Sequence, residues 1–122
     1  MQKALPLLPE GASIILNAST ASCIGTPAFS FYSATKGAVR SFAHNWILDL
    51  KEGKIRVNAI SPGVVPTPGY TLLGLSKEQA QEFVDSQAVT IQLGGVGTPD
   101  EITKAVAFLV SDDSSFVNGI EL

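Results

Sequence analysis

Tyr32 and Lys36 stand four positions apart in the run Tyr32-Ser33-Ala34-Thr35-Lys36, and Ser19 precedes the tyrosine with twelve residues between them. On a helix, side chains four apart sit one turn above another on a single face, so a phenol and an ammonium share a face here. A free phenol, with a pKa of about 10, is almost wholly protonated at neutral pH, and a useful base needs that value lowered by about 2 to 3 units. A cation within about 4 to 6 Å supplies about 1 to 3 of those units, so one lysine barely suffices. Each residue alone has a plainer reading. Ser19 can simply terminate a strand, and a lysine stem packed past an aromatic ring is common on helix surfaces. The joint spacing of all three favours proton-transfer chemistry.

The surrounding elements put the three groups within reach of one another. Ala12-Ser13-Ile14-Ile15-Leu16-Asn17-Ala18-Ser19 follows a Pro9-Glu10-Gly11 break and is rich in branched residues, as a buried strand should be. From Ser30 to Glu52 the pattern is helical, with one apolar row through Phe31, Ala34, Ala38 and Phe42 and another through Val39, Ala43, Trp46 and Leu50. Gly53 is placed to stop it. The polar stripe left between the rows, through Lys36, Arg40 and His44, is narrow, so the helix should be covered on two sides, by sheet and by another helix. Oligomerisation is one way to cover it.

Ile55 to Ile60 reads as a second strand, ended by Ser61-Pro62-Gly63. Prolines 66 and 68 and glycines 69 and 74 argue against regular structure from Val64 to Leu75, which reads as the start of a loop or lid over residues 64–85. Two helix starts follow. Ser76 and Gln79 have capping-box spacing, with the helix running toward Ser86. Thr98-Pro99-Asp100-Glu101 combines a cap, a proline at the first helical position and acidic groups near the positive end of the dipole, so a helix should run to Val110 with Ala105, Phe108 and Leu109 inward. Gly119 to Leu122 opens a further strand. Strand, helix, strand, helix in this order implies one α/β domain over residues 1–122, a parallel sheet with crossover helices.

Composition narrows the partners. The net charge is -3 and the pI near 4.9, so no basic field exists to hold nucleic acid or anionic lipid. Hydrophobic residues make up 45%, which suits strands buried on both faces. Cys23 is the single cysteine and fits a reducing, cytoplasmic setting better than a disulfide framework. The Met1–Leu8 start has a faint signal-peptide look, but its apolar stretch is short and reads better as the last turns of a helix. No metal-ligand cluster stands out.

Ser19 with Tyr32-x-x-x-Lys36 resembles the signature of the classical short-chain dehydrogenases/reductases. So do Gly25, Pro62-Gly63 after the second strand, Thr67 beyond it, Gly97-Thr98-Pro99-Asp100-Glu101, and Ser114-Ser115-Phe116-Val117-Asn118-Gly119. The resemblance covers essentially the whole chain and implies the carboxyl-terminal, catalytic part of a Rossmann-like, doubly wound three-layer fold. It implies an oxidoreductase that interconverts a secondary alcohol and a ketone with NAD or NADP. Tyr32 would be the general acid/base, Ser19 would hydrogen-bond the reacting oxygen, and Lys36 would act on the phenol and hold the nicotinamide ribose. Thr67, with backbone near Val65, would bind the carboxamide, and Pro62 and Gly63 would make room for the ring. For Val65 and Thr67 the reading as ordinary turn residues stands level with this one. A soluble homo-oligomer, dimer or tetramer, is the implied assembly.

The family's glycine-rich pyrophosphate loop has no counterpart here. Gly94-Gly95-Val96-Gly97 follows no strand, and Thr98-Pro99 is the wrong entrance for a phosphate loop. The cofactor-binding half is therefore expected upstream, and the end of the last strand downstream. Two other readings stay open: a noncatalytic association module derived from the family, and an extended-type epimerase or dehydratase, which the Pro62-Gly63 and Thr67 pattern disfavours.

Overall fold

The two branched apolar runs become the strands of a parallel sheet in the computed structural model, which describes residues 3–72 and 74–122. Strand β1 is Ser13–Asn17 and β2 is Arg56–Ile60, in register from Ser13 opposite Arg56 to Asn17 opposite Ile60. The crossover between them is helix α1, Ser30–Asp49. Among the described residues three more α-helices follow: α2, Gly69–Leu72, α3, Lys77–Ala88, and α4, Pro99–Val110. The chain up to Ser61 and from Val106 onward forms one compact unit, and Pro62–Ala105 a second.

In the first unit the alternation of side chains along each strand decides what covers each face. Ile14, Leu16, Val57 and Ala59 point to α1 and meet Ala43, Trp46, Ile47 and Leu50. Val57 and Ala43 are almost wholly buried, at 0% and 1% exposure, and full burial of a valine contributes about 1.5 to 3 kcal/mol. Only the second of the two apolar rows is used for this. Phe31, Ala34, Ala38 and Phe42 are exposed, so the helix is covered on one side by sheet, and Phe42 stacks on Trp46 at 5.1 Å.

The opposite face carries Ser13, Arg56 and Asn58. Ser13 Oγ and Arg56 Nη1 donate to the Leu109 carbonyl at 2.9 and 2.8 Å, and Arg56 Nη2 donates to the Ser111 carbonyl at 3.1 Å. A guanidinium thus satisfies the free carbonyls where α4 ends. Asn58, fully buried, donates to the Val117 carbonyl and accepts from the Ile120 amide. The last segment runs beside β2. Gly119 N donates to Val57 O, Ala59 N to Ile120 O and Leu122 N to Ala59 O, with a parallel bridge between Ala59 and Glu121. The expected last strand is this bridge.

Within the second unit, α3 begins with the expected box: Gln79 N donates to Ser76 Oγ and Ser76 N to Gln79 Oε1. Thr98 and Glu101 form a similar box before α4. Hydrogen bonds from the Thr98 amide, then from its hydroxyl, hold the Glu101 carboxyl below the usual carboxylate range.

Several expectations need correction. Residues 64–75 are not wholly irregular, because Gly69–Leu72 closes a helical turn; Leu73, in the expected lid, lies outside the described residues. Helix α1 ends at Asp49, and a 3-10 turn, Lys51–Gly53, follows. Gly53 is no left-handed stop. The left-handed residue is Lys54, at φ 51, and Gly53 instead lets Ile55 approach, since a Cβ there would lie 3.3 Å from Ile55 Cδ1. Phe108 is 43% exposed. Leu109, also expected inward and about 100° further around the helix, is buried as expected. The start is a 3-10 turn over Leu5–Leu7, and Met1 and Gln2, part of the signal-peptide resemblance, lie outside the described residues. Among the described residues no helix is long and apolar enough to cross a membrane, and no three His, Cys, Asp or Glu side chains cluster as metal ligands would.

Candidate active site

Ser19 follows β1 by two residues and caps a 3-10 turn, Thr20–Ser22. Its Oγ accepts from Ala21 N at 3.2 Å, and its carbonyl accepts from Ser22 N at 2.9 Å. A hydroxyl has one donor and two acceptor sites, so this cap uses an acceptor site and fixes the oxygen without using the proton. The chain then turns into α1 through Ala28, whose φ of 64 is left-handed. For a residue with a Cβ this conformation costs about 1 to 2 kcal/mol.

Tyr32 lies in the first turn of α1, 42% exposed, with the Phe29 ring edge-on at 5.8 Å. Lys36, one turn on, holds its ammonium 5.6 Å from the Tyr32 ring centroid and donates to the Asn17 carbonyl at 2.9 Å. That carbonyl ends β1, two residues before Ser19. The lysine therefore joins the helix face that carries the phenol to the strand end from which the serine hangs. These groups stand at the carboxyl end of a parallel strand, where open α/β sheets bind ligands. A pocket of about 360 Å³ lies among Ser22, Gly25, Thr26, Ser30 and Ser33, but Ser19, Tyr32 and Lys36 do not line it.

Pro62, Gly63, Val65 and Thr67 belong to the second unit. Gly63 is exposed, and a Cβ on it would meet nothing within 4 Å. Val65 is half-buried, and Thr67 is exposed, its carbonyl accepting from Tyr70 N at 3.4 Å where α2 begins.

Sequence reasoning passed over two contacts of α1. The Asn17 carbonyl gives no signal in a sequence, because any residue supplies one. Arg40, one turn past Lys36, meets Glu121 Oε2 at 2.5 Å through Nε. The four-residue spacing of Tyr32, Lys36 and Arg40 was legible, but its partner lies 81 positions away. Glu121 also accepts from Ser61 Oγ, and from Cys23 Sγ at 3.8 Å. Partial burial pushes its carboxyl up, but the Ser61 and Arg40 hydrogen bonds, the Arg40 charge and the Cys23 contact outweigh this and hold it below the usual carboxylate range.

A parallel α/β sheet with a tyrosine-lysine pair on its crossover helix is the arrangement of a Rossmann-type fold, and the pair marks a candidate site. A family model described as enoyl-(acyl carrier protein) reductase matches residues 1–122. The chain belongs to the short-chain dehydrogenase/reductase family. Cyclopentanol dehydrogenase of Comamonas sp. (strain NCIMB 9872) is 36% identical over 118 residues, covering 96% of this chain and 46% of that protein. The crystal structure of a short chain dehydrogenase family protein from Francisella tularensis subsp. tularensis SCHU S4 matches with TM-score 0.83 and 32% identity, over 99% of this chain and 52% of that one. The angucycline C-6 ketoreductase LanV with bound NADP matches with TM-score 0.86 and 28% identity, over 99% and 45%. The chain spans about half the length of the curated relatives it matches.

Proposed function

We propose that this chain is the carboxyl-terminal catalytic part of an NAD(P)-dependent oxidoreductase that interconverts a secondary alcohol and a ketone, with residues 64–85 as a lid. The observation that carries the reading is the Lys36 ammonium, 2.9 Å from the Asn17 carbonyl and 5.6 Å from the Tyr32 ring centroid, with Ser19 two residues beyond Asn17. In this reading Tyr32 gives its proton to the carbonyl oxygen in reduction and takes it from the hydroxyl in oxidation. Ser19 donates its hydrogen to the same oxygen, because its cap with Ala21 already fixes the Oγ position.

The residues present fit the nicotinamide end of a dinucleotide. Lys36 offers ammonium donors at the strand end, and open space lies beside Gly63, where a Cβ would meet nothing. When bound, the cofactor supplies the hydride. Lys36 would hold its ribose, Thr67 and the backbone near Val65 its carboxamide, and Pro62 and Gly63 would leave room for the ring. The cyclopentanol and angucycline relatives support alcohols and ketones as substrate class, and the NADP bound to LanV supports a dinucleotide. The exposed row of Phe31, Ala34, Ala38 and Phe42 supports a homo-oligomer packed through α1.

The test is Tyr32→Phe in the full-length protein, assayed on a panel of secondary alcohols and ketones with each dinucleotide. General acid/base catalysis contributes about 10² to 10⁴ in rate, so kcat should fall by at least about 10² while NAD(P)H affinity, read by fluorescence titration, is kept. Unchanged turnover refutes the reaction, and absence of NAD(P)H binding refutes the cofactor.

A further inference from the structure

Helix geometry alone holds Tyr32 and Lys36 together, because both lie on α1. Ser19 lies on another element, and its distance from the phenol depends on contacts between elements. Two of these come from the same helical stripe and bracket the serine. Lys36 holds the carbonyl of Asn17, two residues before Ser19, at 2.9 Å. Arg40 Nη1 reaches the carbonyl of Ser22, three residues after it, at 3.5 Å.

Arg40 is itself aimed from the other side. Its Nε sits on Glu121 Oε2 at 2.5 Å, and Glu121 is tied to the sheet by its bridge to Ala59 and by the Ser61 hydroxyl at the end of β2. One planar guanidinium therefore faces both the serine loop and the last segment, a task that a single ammonium does not match. We infer that Arg40, seated on Glu121, is a positioning residue for the reaction, fixing the loop that carries Ser19 against the helix that carries Tyr32 and Lys36.

The role separates from plain stabilisation by magnitude. The Arg40 and Glu121 side chains are 30% and 19% exposed, and a pair reached by solvent adds little to global stability. A displacement of about 1 Å in a catalytic group, in contrast, costs about 10² in rate. Loss of the pair should show in the site before it shows in unfolding.

The inference rests on the proposed reaction, so the experiment has one arm that needs no substrate. In the full-length protein, amide hydrogen exchange is measured at Ala21, Ser22 and Cys23, whose amides close the turn on Ser19 and Thr20. Arg40→Met should speed exchange there by about tenfold and leave the interior of α1 unchanged. Glu121→Gln, which keeps the side chain's shape, should act on the same amides to a smaller extent. In the second arm, Arg40→Met is made with Ser19 intact and in Ser19→Ala. The expected loss in kcat is about 10- to 100-fold in the first background and several-fold smaller in the second, because residues acting through one another are not additive. Unchanged exchange, or equal losses in both backgrounds, overturns the inference. Full turnover in Ser19→Ala alone sinks the reaction itself, and the inference with it.

Discussion

Replacing Asn58 by Leu tests whether the last segment is held by side-chain hydrogen bonds or by strand pairing alone. Asn58 is fully buried, with Nδ2 on the Val117 carbonyl at 3.0 Å and Oδ1 on the Ile120 amide at 3.1 Å. Leucine fills a similar volume but serves neither group. Leaving a buried donor or acceptor without a partner costs about 1 to 3 kcal/mol, so two such groups give about 2 to 6. Ile120 is 38% exposed, and its amide regains part of its loss from water. The apolar gain from burying leucine offsets more. The net is about 2 to 3 kcal/mol, which at a urea m-value of about 2 kcal/mol/M lowers the midpoint by about 1 to 1.5 M. Urea denaturation of the full-length protein, with m unchanged, measures it. The Ile120 amide should also exchange faster in Asn58→Leu, while the Val57 amide keeps its Asn118 Oδ1 partner at 2.8 Å. A midpoint shift below about 0.3 M would show that water or backbone pairing replaces both bonds, and the argument for Asn58 would fail.

Gly119→Ala should destabilise by about 1 to 3 kcal/mol, because φ is 78 and the new Cβ would lie 2.9 Å from Ile47 Cδ1. Ile47→Val, which shortens that neighbour, should recover part of the loss in thermal melts. Glu121 links stability to pH with a definite sign. Its carboxyl titrates below the usual range when folded, so its contribution is present above the unfolded carboxylate pKa and lost as pH falls through the folded value. The stability difference between the native protein and Glu121→Gln, small because solvent reaches the pair, should be largest at neutral pH and shrink on acidification. A difference that grows toward acid contradicts the assignment.

Much of the frame was legible because it is written locally. Branched runs gave both strands, the Ser76 and Thr98 boxes gave the starts of α3 and α4, and four-residue spacing placed Tyr32 and Lys36 on one face. The errors arose where a local pattern has two causes. Gly53 matches a helix stop, yet the glycine answers a close approach of Ile55, and the left-handed turn falls on Lys54. Proline and glycine in residues 66–74 argued against helix, yet a single turn needs too few internal hydrogen bonds for them to forbid it. Phe108 and Leu109 are both apolar, and periodicity alone did not choose between adjacent positions. The exposed row of α1 was read as covered because apolar spacing does not say by what.

The contacts that the sequence hid are those on which the proposed site depends most. The phenol and ammonium are encoded within one helical turn and form whenever α1 forms. The loop that carries Ser19 meets α1 through carbonyls at positions 17 and 22 and an arginine two turns from the phenol, which is itself held by a glutamate in the last segment. That segment is in turn held to β2 by two side-chain amides, Asn58 Oδ1 accepting from the Ile120 amide and Asn118 Oδ1 accepting from the Val57 amide. Substitutions along this line should therefore disturb catalysis by moving the serine rather than by altering the phenol. Their losses should shrink several-fold once Ser19 is already alanine, whereas losses at Lys36 should persist in full.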